Sequence, residues 1–269
     1  MKYTLGFIGT GNMGGALATA VKNGNDDFSA LLADSDAKKA EALADKLGCD
    51  SGDIKTVAAE CEYIFLGVKP QALKNVFDEI APVLAGRNDC FVLVSMAAGV
   101  GMYKIAAMSD GDYPIIRIMP NIAAAVGEAM ILCTANDNTT EAEVEQFRSL
   151  MSKAGIIDML DEKLFDAGCA LSGSGPAFVF MFIEALADGG VACGLTRDKA
   201  LNFAVQTVVG SAKLLQETKE HPAALKDAVC SPAGTTIGGV AALENGGFRA
   251  ATINAVKAAY NRSVELGKQ

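Results

Sequence analysis

The apolar run Tyr3 to Ile8 passes directly into Gly9-Thr10-Gly11-Asn12-Met13-Gly14, and Gly15 to Val21 then continue at helical spacing. A strand that turns through G-x-G-x-x-G into a helix has few uses, because each glycine meets a separate steric demand. Gly9 permits the tight turn, Gly11 lets bare backbone approach a pyrophosphate, and Gly14 allows the helix to pack closely on the strand. The helix then points its free N–H groups at the phosphates. Gly9, Thr10, Gly11, Asn12, Met13 and Gly14 are therefore read as a dinucleotide cradle, at the start of an α/β chain.

A second apolar run, Ser29 to Ala33, ends at Asp34, twenty residues after Gly14. An acidic side chain there accepts hydrogen bonds from both adenine-ribose hydroxyls and repels a 2′-phosphate, which speaks for NADH. Lys38 and Lys39 follow closely and partly offset that repulsion. A second reading makes Asp34 or Asp36 the cap of a helix over Ala37 to Leu47. Both NAD and NADP thus stay open as the cofactor, with Asp34 leaning toward NAD.

The alternation continues with strands over Tyr63 to Val68, Cys90 to Val94 and Pro114 to Ile118, separated by helical patterns around Gln71 to Leu84 and Gly101 to Met108. Such a pattern predicts a mainly parallel sheet with helices on both faces. Ligands then collect at the carboxyl ends of the strands. Val68-Lys69-Pro70, Ala97-Ala98 within Ser95 to Gly99, and Met119-Pro120-Asn121 fall there. Lys69 either reaches an anion or is simply solvated. Ala129 to Met159 adds two strands around a charged helix, Thr140 to Lys153, and closes the sheet.

From Lys163 onward only helical periods remain, over Ala177 to Cys193, Arg197 to Lys219, Pro222 to Val229 and Phe248 to Leu266. The boundary expected near Asp161 or Glu162 divides a Rossmann-type dinucleotide-binding domain, 1–161, from an all-helical domain, 162–269. Its helices are apolar on more than one face, which calls for burial against a second copy. The stretches Ala167 to Ile183 and Ala228 to Leu243 are broken by Ser172 to Pro176 and Ser231 to Thr236, so neither is expected to cross a membrane. A formal charge of -9 gives no global field for nucleic acid or an anionic membrane. Seven scattered cysteines without a C-x-x-C pair argue against a disulfide framework or a metal site. With no secretory leader legible at Met1 to Ile8, the expected compartment is the cytoplasm.

Acid–base equipment is sparse. Glu184 and Asp188 lie one helical turn apart with no third ligand, and read as a solvated stripe. His221, the one histidine, precedes Pro222 at a helix start and reads as a cap or surface residue. Alcohol oxidation commonly needs a base for the hydroxyl proton. Reduction of a protonated imine needs little beyond positioning, because the C=N carbon is already electrophilic. Cys230-Ser231-Pro232-Ala233-Gly234-Thr235-Thr236-Ile237-Gly238-Gly239 offers hydroxyls at Ser231 and Thr236 to a ring nitrogen, and helix-opening N–H groups after Thr235 to a carboxylate. The alternative is a plain helix–helix corner with Ser231 or Thr235 as its cap.

At these residues the chain resembles the pyrroline-5-carboxylate reductase family. The resemblance rests on GFIGTGNMG, Val68 to Pro70, SMAAGV, LSGSGPAF from Leu171, ALADGGV, LKD, SPAGTTIGG and LENGGFR, and spans nearly the whole chain. It implies reduction of 1-pyrroline-5-carboxylate to L-proline with NADPH or NADH, the last step of proline biosynthesis. It also implies a helical domain that interlocks two subunits, often in rings of dimers. By position it implies that Thr236 hydrogen-bonds the ring nitrogen, that Ser231 with the Thr235 and Thr236 amides holds the carboxylate, and that Glu162 contacts the product. Three features depart from the family pattern: Asp34, Ala228 after LKD, and PAGTT in place of PGGAT. The SGSGP segment is expected to be a tight loop that starts a helix at Pro176. The β-hydroxyacid dehydrogenases share the N-terminal pattern, but their interdomain-helix lysine has no counterpart between Lys163 and Lys199. A non-catalytic nucleotide sensor is the remaining rival, opposed by the intact hydroxyls.

Overall fold

The computed structural model describes residues 2–24 and 29–267, and the chain divides into two compact units, Met1–Ser174 with Ala259–Gln269, and Gly175–Ala258. The first unit runs β1 (Tyr3–Ile8), α1 (Asn12–Gly24), β2 (Ala30–Ala33), α2 (Ala37–Leu47), β3 (Asp50–Ser51), α3 (Ile54–Glu60), β4 (Cys61–Leu66), α4 (Leu73–Ala85), β5 (Val92–Ser95), α5 (Met102–Ser109), β6 (Ile115–Met119), β7 (Ala129–Ala135), α6 (Glu141–Leu150) and β8 (Gly155–Met159). One sheet orders these strands β3-β2-β1-β4-β5-β6-β7-β8. All neighbours are parallel except β6 and β7.

Strands covered on both faces must be apolar on both, which is why β1 and β4 read as near-continuous hydrophobic runs rather than alternating ones. Phe7, Tyr63 and Phe65 join one core with Leu17 of α1 and Phe147 of α6. Ile8, Ile64 and Leu66 join the other, with Val57 of α3 and Phe77 and Ile80 of α4. Phe7 and Phe65 stack at 4.5 Å across the β1–β4 pair. The β6–β7 reversal has a simple cause. The connection from Met119 to Ala129 holds only a short 3₁₀ turn, Ile122–Val126, too little chain for the crossover a parallel return needs.

The strand order reverses between β1 and β4, and there Gly67 donates its N–H to the Ile8 carbonyl at 2.8 Å. In an open α/β sheet such a switch point opens the crevice that takes a ligand. The fold therefore sets the Gly-rich turn and Val68-Lys69-Pro70 at its rim.

After β8 the chain makes a 3₁₀ turn at Glu162–Leu164, then α7 (Phe165–Gly168), and a π-helical turn at Cys169–Gly173 before the second unit begins. The tight loop expected at Ser172 to Pro176 is thus corrected: the chain stays helical, with one wide turn absorbing the small residues and Pro176 placed in the first turn of the next helix. As a result Glu162–Ala192 is long and apolar enough to cross a membrane by length and composition, with a mean hydropathy of 1.5.

The second unit comprises α8 (Gly175–Ala192), α9 (Arg197–Thr218), α10 (Pro222–Ala228), α11 (Thr235–Asn245) and the start of α12 (Phe248–Gly267), whose last turns belong to the first unit. Its core is slight. Ala187 of α8 packs with Ala200 and Ala204 of α9, beside Ile183 and Val191. Small residues allow this approach: a Cβ on Gly190 would sit 3.1 Å from the Ala200 Cβ. By contrast Phe180, Met181 and Phe203 are 59%, 69% and 57% exposed. An apolar surface of this extent on a helical unit is the mark of an interaction face.

Candidate active site

The Gly-rich turn has the geometry its glycines were read for. Gly9 has φ +98°, and a Cβ there would lie 2.7 Å from the Gly67 carbonyl oxygen. A Cβ on Gly14 would collide with the Gly9 carbonyl oxygen, so α1 reaches the strand only because position 14 is bare. Next to Gly11, in contrast, an added Cβ meets no atom within 4 Å. The space over the opening turn of α1 is free, and the residues present fit a pyrophosphate on that turn.

Asp34 follows β2 and closes on the same turn. Its Oδ2 accepts the Thr10 N–H at 2.7 Å and the Thr10 hydroxyl at 3.1 Å, while Oδ1 accepts the Asp36 N–H at 3.0 Å and the Ser35 hydroxyl at 3.3 Å. Burial works against ionisation of Asp34, but the Asp36 and Thr10 N–H groups with the two hydroxyls outweigh it and hold the carboxyl below its ordinary range. Asp36 stands at the cap position of α2 without a side-chain cap bond. The capping expected of Asp36 is absent, and Asp34 braces the turn ahead of the helix. Two of the four donors on Asp34 are rotatable hydroxyls, which a ribose diol can displace.

At the ends of β4 and β5, Val68 approaches the Gly9 turn, where its N would lie 3.0 Å from a Gly9 Cβ. Ala97 is buried. Exposed Lys69 and Ala98, with Pro70, line a cavity of about 770 Å³ together with Tyr103 and Lys104. Lys104 donates to the Gly267 carbonyl at 3.1 Å.

Glu162 lies in a second cavity of about 530 Å³, lined also by Arg117, Gly101, Asp166 and Val264. Its Oε1 accepts from Arg117 Nη1 and from the Met102 N–H of α5, each at 2.8 Å. Arg117 was missed in the sequence. The only signal is one charged residue inside the apolar strand Ile115-Ile116-Arg117-Ile118-Met119, a placement that needs a partner.

Ser231, Thr235 and Thr236 belong to the second unit. The turn ahead of α11 closes with the Gly234 N–H on the Ser231 carbonyl at 3.0 Å, and Ala233 takes φ +55°. Gly234 is the α11 cap residue and no side chain caps the helix, so neither Ser231 nor Thr235 serves as a cap. The first intrahelical bond of α11 runs from Gly238 N–H to the Gly234 carbonyl. Helix geometry leaves the Thr235 and Thr236 amides without an intrahelical acceptor. This end of α11 thus joins free amides to the exposed hydroxyls of Ser231 and Thr236.

Other candidates are used structurally. His221 Nδ1 accepts the Ala223 N–H at 3.2 Å and caps α10. Asp188 pairs with Arg197 at 2.5 Å, which takes it from any pairing with Glu184. Among the described residues, no three His, Cys, Asp or Glu side chains gather as a metal site.

Two family models match the chain: "NADP oxidoreductase coenzyme F420-dependent" over residues 4–99, and "Pyrroline-5-carboxylate reductase dimerisation" over residues 162–266. A pyrroline-5-carboxylate reductase of Glycine max is 42% identical over 273 residues, 98% of this chain and 96% of that one. That of Escherichia coli K12 is 39% identical over 271 residues, the whole of both chains. The crystal structure of Plasmodium falciparum pyrroline carboxylate reductase with NADP bound superposes with a TM-score of 0.86 at 30% identity, covering 99% of each chain. Its Gly-rich nucleotide turn, its helical second half and its full-length likeness to these proteins place the chain in the pyrroline-5-carboxylate reductase family.

Proposed function

We propose that this chain reduces the C=N bond of 1-pyrroline-5-carboxylate to give L-proline, the last step of proline biosynthesis, as an NAD(P)H-dependent oxidoreductase. The observation that carries the reading is the uncharged opening of α11, where free amides and two hydroxyls stand together. The Thr235 and Thr236 amides with the Ser231 hydroxyl hold the substrate carboxylate, and the Thr236 hydroxyl bonds the ring nitrogen. No protein base is needed: as the imine carbon, which becomes C5 of proline, gains a hydride, the C=N π pair becomes the nitrogen lone pair, and solvent supplies the final proton. The dinucleotide supplies that hydride when bound. Gly9 to Gly14 hold its pyrophosphate, Asp34 its adenine ribose, and Val68, Lys69, Pro70, Ala97 and Ala98 line its nicotinamide end. Glu162 contacts the product.

Asp34 favours NADH as the finer choice of cofactor, since a carboxylate faces the ribose and repels a 2′-phosphate. The functional division falls at 1–161 and 162–269. The exposed apolar side chains of α8 and α9 support a homodimer, and rings of dimers extend it; neither nucleic acid nor membrane is a partner, and the working compartment is the cytoplasm.

The test is oxidation of NADH and NADPH in the presence of pyrroline-5-carboxylate, then of a 2-ketoacid as the hydroxyacid-dehydrogenase substrate. Turnover with the imine alone is expected. Oxidation with the ketoacid alone, or with neither, would reject the reading.

A further inference from the structure

Arg117 is a buried cation on a central strand, its side chain 7% exposed, with one anionic partner among the described residues. Its guanidinium lies over the Phe165 ring at 4.6 Å, within reach of a cation–π contact. Nη1 reaches Glu162 Oε1 at 2.8 Å, whereas the Nε–H, fully buried, has no acceptor. Arg–carboxylate pairs are frequently bidentate, with both ends of the fork on the carboxylate. Here both protein donors, Arg117 and the Met102 N–H, converge on Oε1 alone. Oε2 takes no hydrogen bond from a described residue, and Glu162 and Arg117 line the same cavity. Glu162 packs closely on the start of α5, where a Cβ on Gly101 would stand 3.4 Å from Oε1, an ordinary contact.

We propose that Arg117 is a positioning residue: with the first amide of α5 it anchors Glu162 by Oε1, so that Oε2 is presented to the cationic ring nitrogen of substrate and product. The inference rests on the proposed imine substrate and deepens it. Three elements then meet at one carboxylate: β6 through Arg117, α5 through Met102, and the turn after β8 through Glu162 itself. A free carboxylate on a turn samples several rotamers, and fixing one lowers the cost of ordering it on binding. Arg117 never touches the substrate, so its effect enters through Glu162 alone.

Steady-state kinetics with pyrroline-5-carboxylate on Glu162→Gln, Arg117→Lys, Arg117→Met and the Arg117→Lys/Glu162→Gln double variant test this, with dinucleotide KM and thermal melting as controls. Glu162→Gln is expected to raise the imine KM about tenfold with dinucleotide KM unchanged. Arg117→Met matches it, and Arg117→Lys recovers part of the loss. Arg117→Lys keeps a cation in the buried site, so the test stands even where Arg117→Met does not fold. The double variant is expected to be no worse than Glu162→Gln, because both act through one carboxylate. Arg117 variants within twofold of the parent KM, or losses that multiply in the double variant, would overturn the positioning role, as would an unaltered KM in Glu162→Gln. Failure of the parent chain to turn over the imine at all would instead reject the substrate.

Discussion

Thr10 donates its backbone N–H to Asp34 Oδ2 at 2.7 Å, so one carboxylate ties the end of β2 to the Gly-rich turn. The same group carries the proposed ribose contact, and its charge opposes a 2′-phosphate. Asp34→Ser is expected to move the ratio of kcat/KM for NADPH over NADH upward by about tenfold. An unchanged ratio would leave Asp34 with only the brace of the turn.

The depressed Asp34 carboxyl also gives a pH dependence with a definite sign. A group whose folded pKa lies below its unfolded value contributes stability that is present above the unfolded value, about 4 for aspartate. That contribution disappears as pH falls through the lower folded value. The melting temperature of Asp34→Asn should therefore lie below that of the parent chain at pH 7, and the gap should narrow as pH falls from about 4 downward. A constant gap across that range would show that the four donors on Asp34 add nothing through its charge.

The hydroxyl proposed to bond the ring nitrogen is separable from the cofactor cradle. Thr236→Ala should lower kcat with pyrroline-5-carboxylate by roughly tenfold or more while dinucleotide affinity holds. If kcat is unaltered, Thr236 has no part in the chemistry.

Ala233 holds φ +55° directly before Gly234. Left-handed backbone costs an alanine about 1 kcal/mol, and glycine adopts it freely. This is a position where the chain departs from PGGAT. Ala233→Gly should raise the melting temperature by roughly 2–4 °C. A lower melting temperature would mean that the turn is not strained in the folded chain.

The β1–α1 turn, the parallel sheet and the helical second half were legible because strong, local patterns encode them: glycine spacing, continuous apolar strands and 3.6-residue periods. What escaped is non-local or short. β3 is two exposed residues, Asp50 and Ser51, with no apolar pattern to betray it, and α3 behind it is seven residues long, started by Asp53, whose side chain accepts the Thr56 N–H at 2.7 Å. The π-helical turn at Cys169–Gly173 defeats the rule that Ser and Gly clusters break helices, because the backbone widens instead of turning. Arg117 is visible as an oddity in the sequence, but its partner is forty-five residues away and only the fold brings Glu162 to it.

Burial sorts the cysteines. It pushes the Cys61 and Cys133 thiols up to about 12, whereas Cys90 is exposed. Since the thiolate is the reactive form, a disulfide reagent at pH 8 should label Cys90 in the native chain and reach Cys61 and Cys133 only after unfolding. Prompt labelling of Cys61 or Cys133 would mean that the sheet opens far more readily than its packing implies.

The most direct test of the central claim is a crystal structure with L-proline and oxidised dinucleotide bound. The account predicts the proline carboxylate on the Thr235 and Thr236 amides and the Ser231 hydroxyl, with the ring nitrogen within hydrogen-bond distance of the Thr236 hydroxyl. Proline bound elsewhere, with the opening of α11 free of ligand in every subunit, would contradict it.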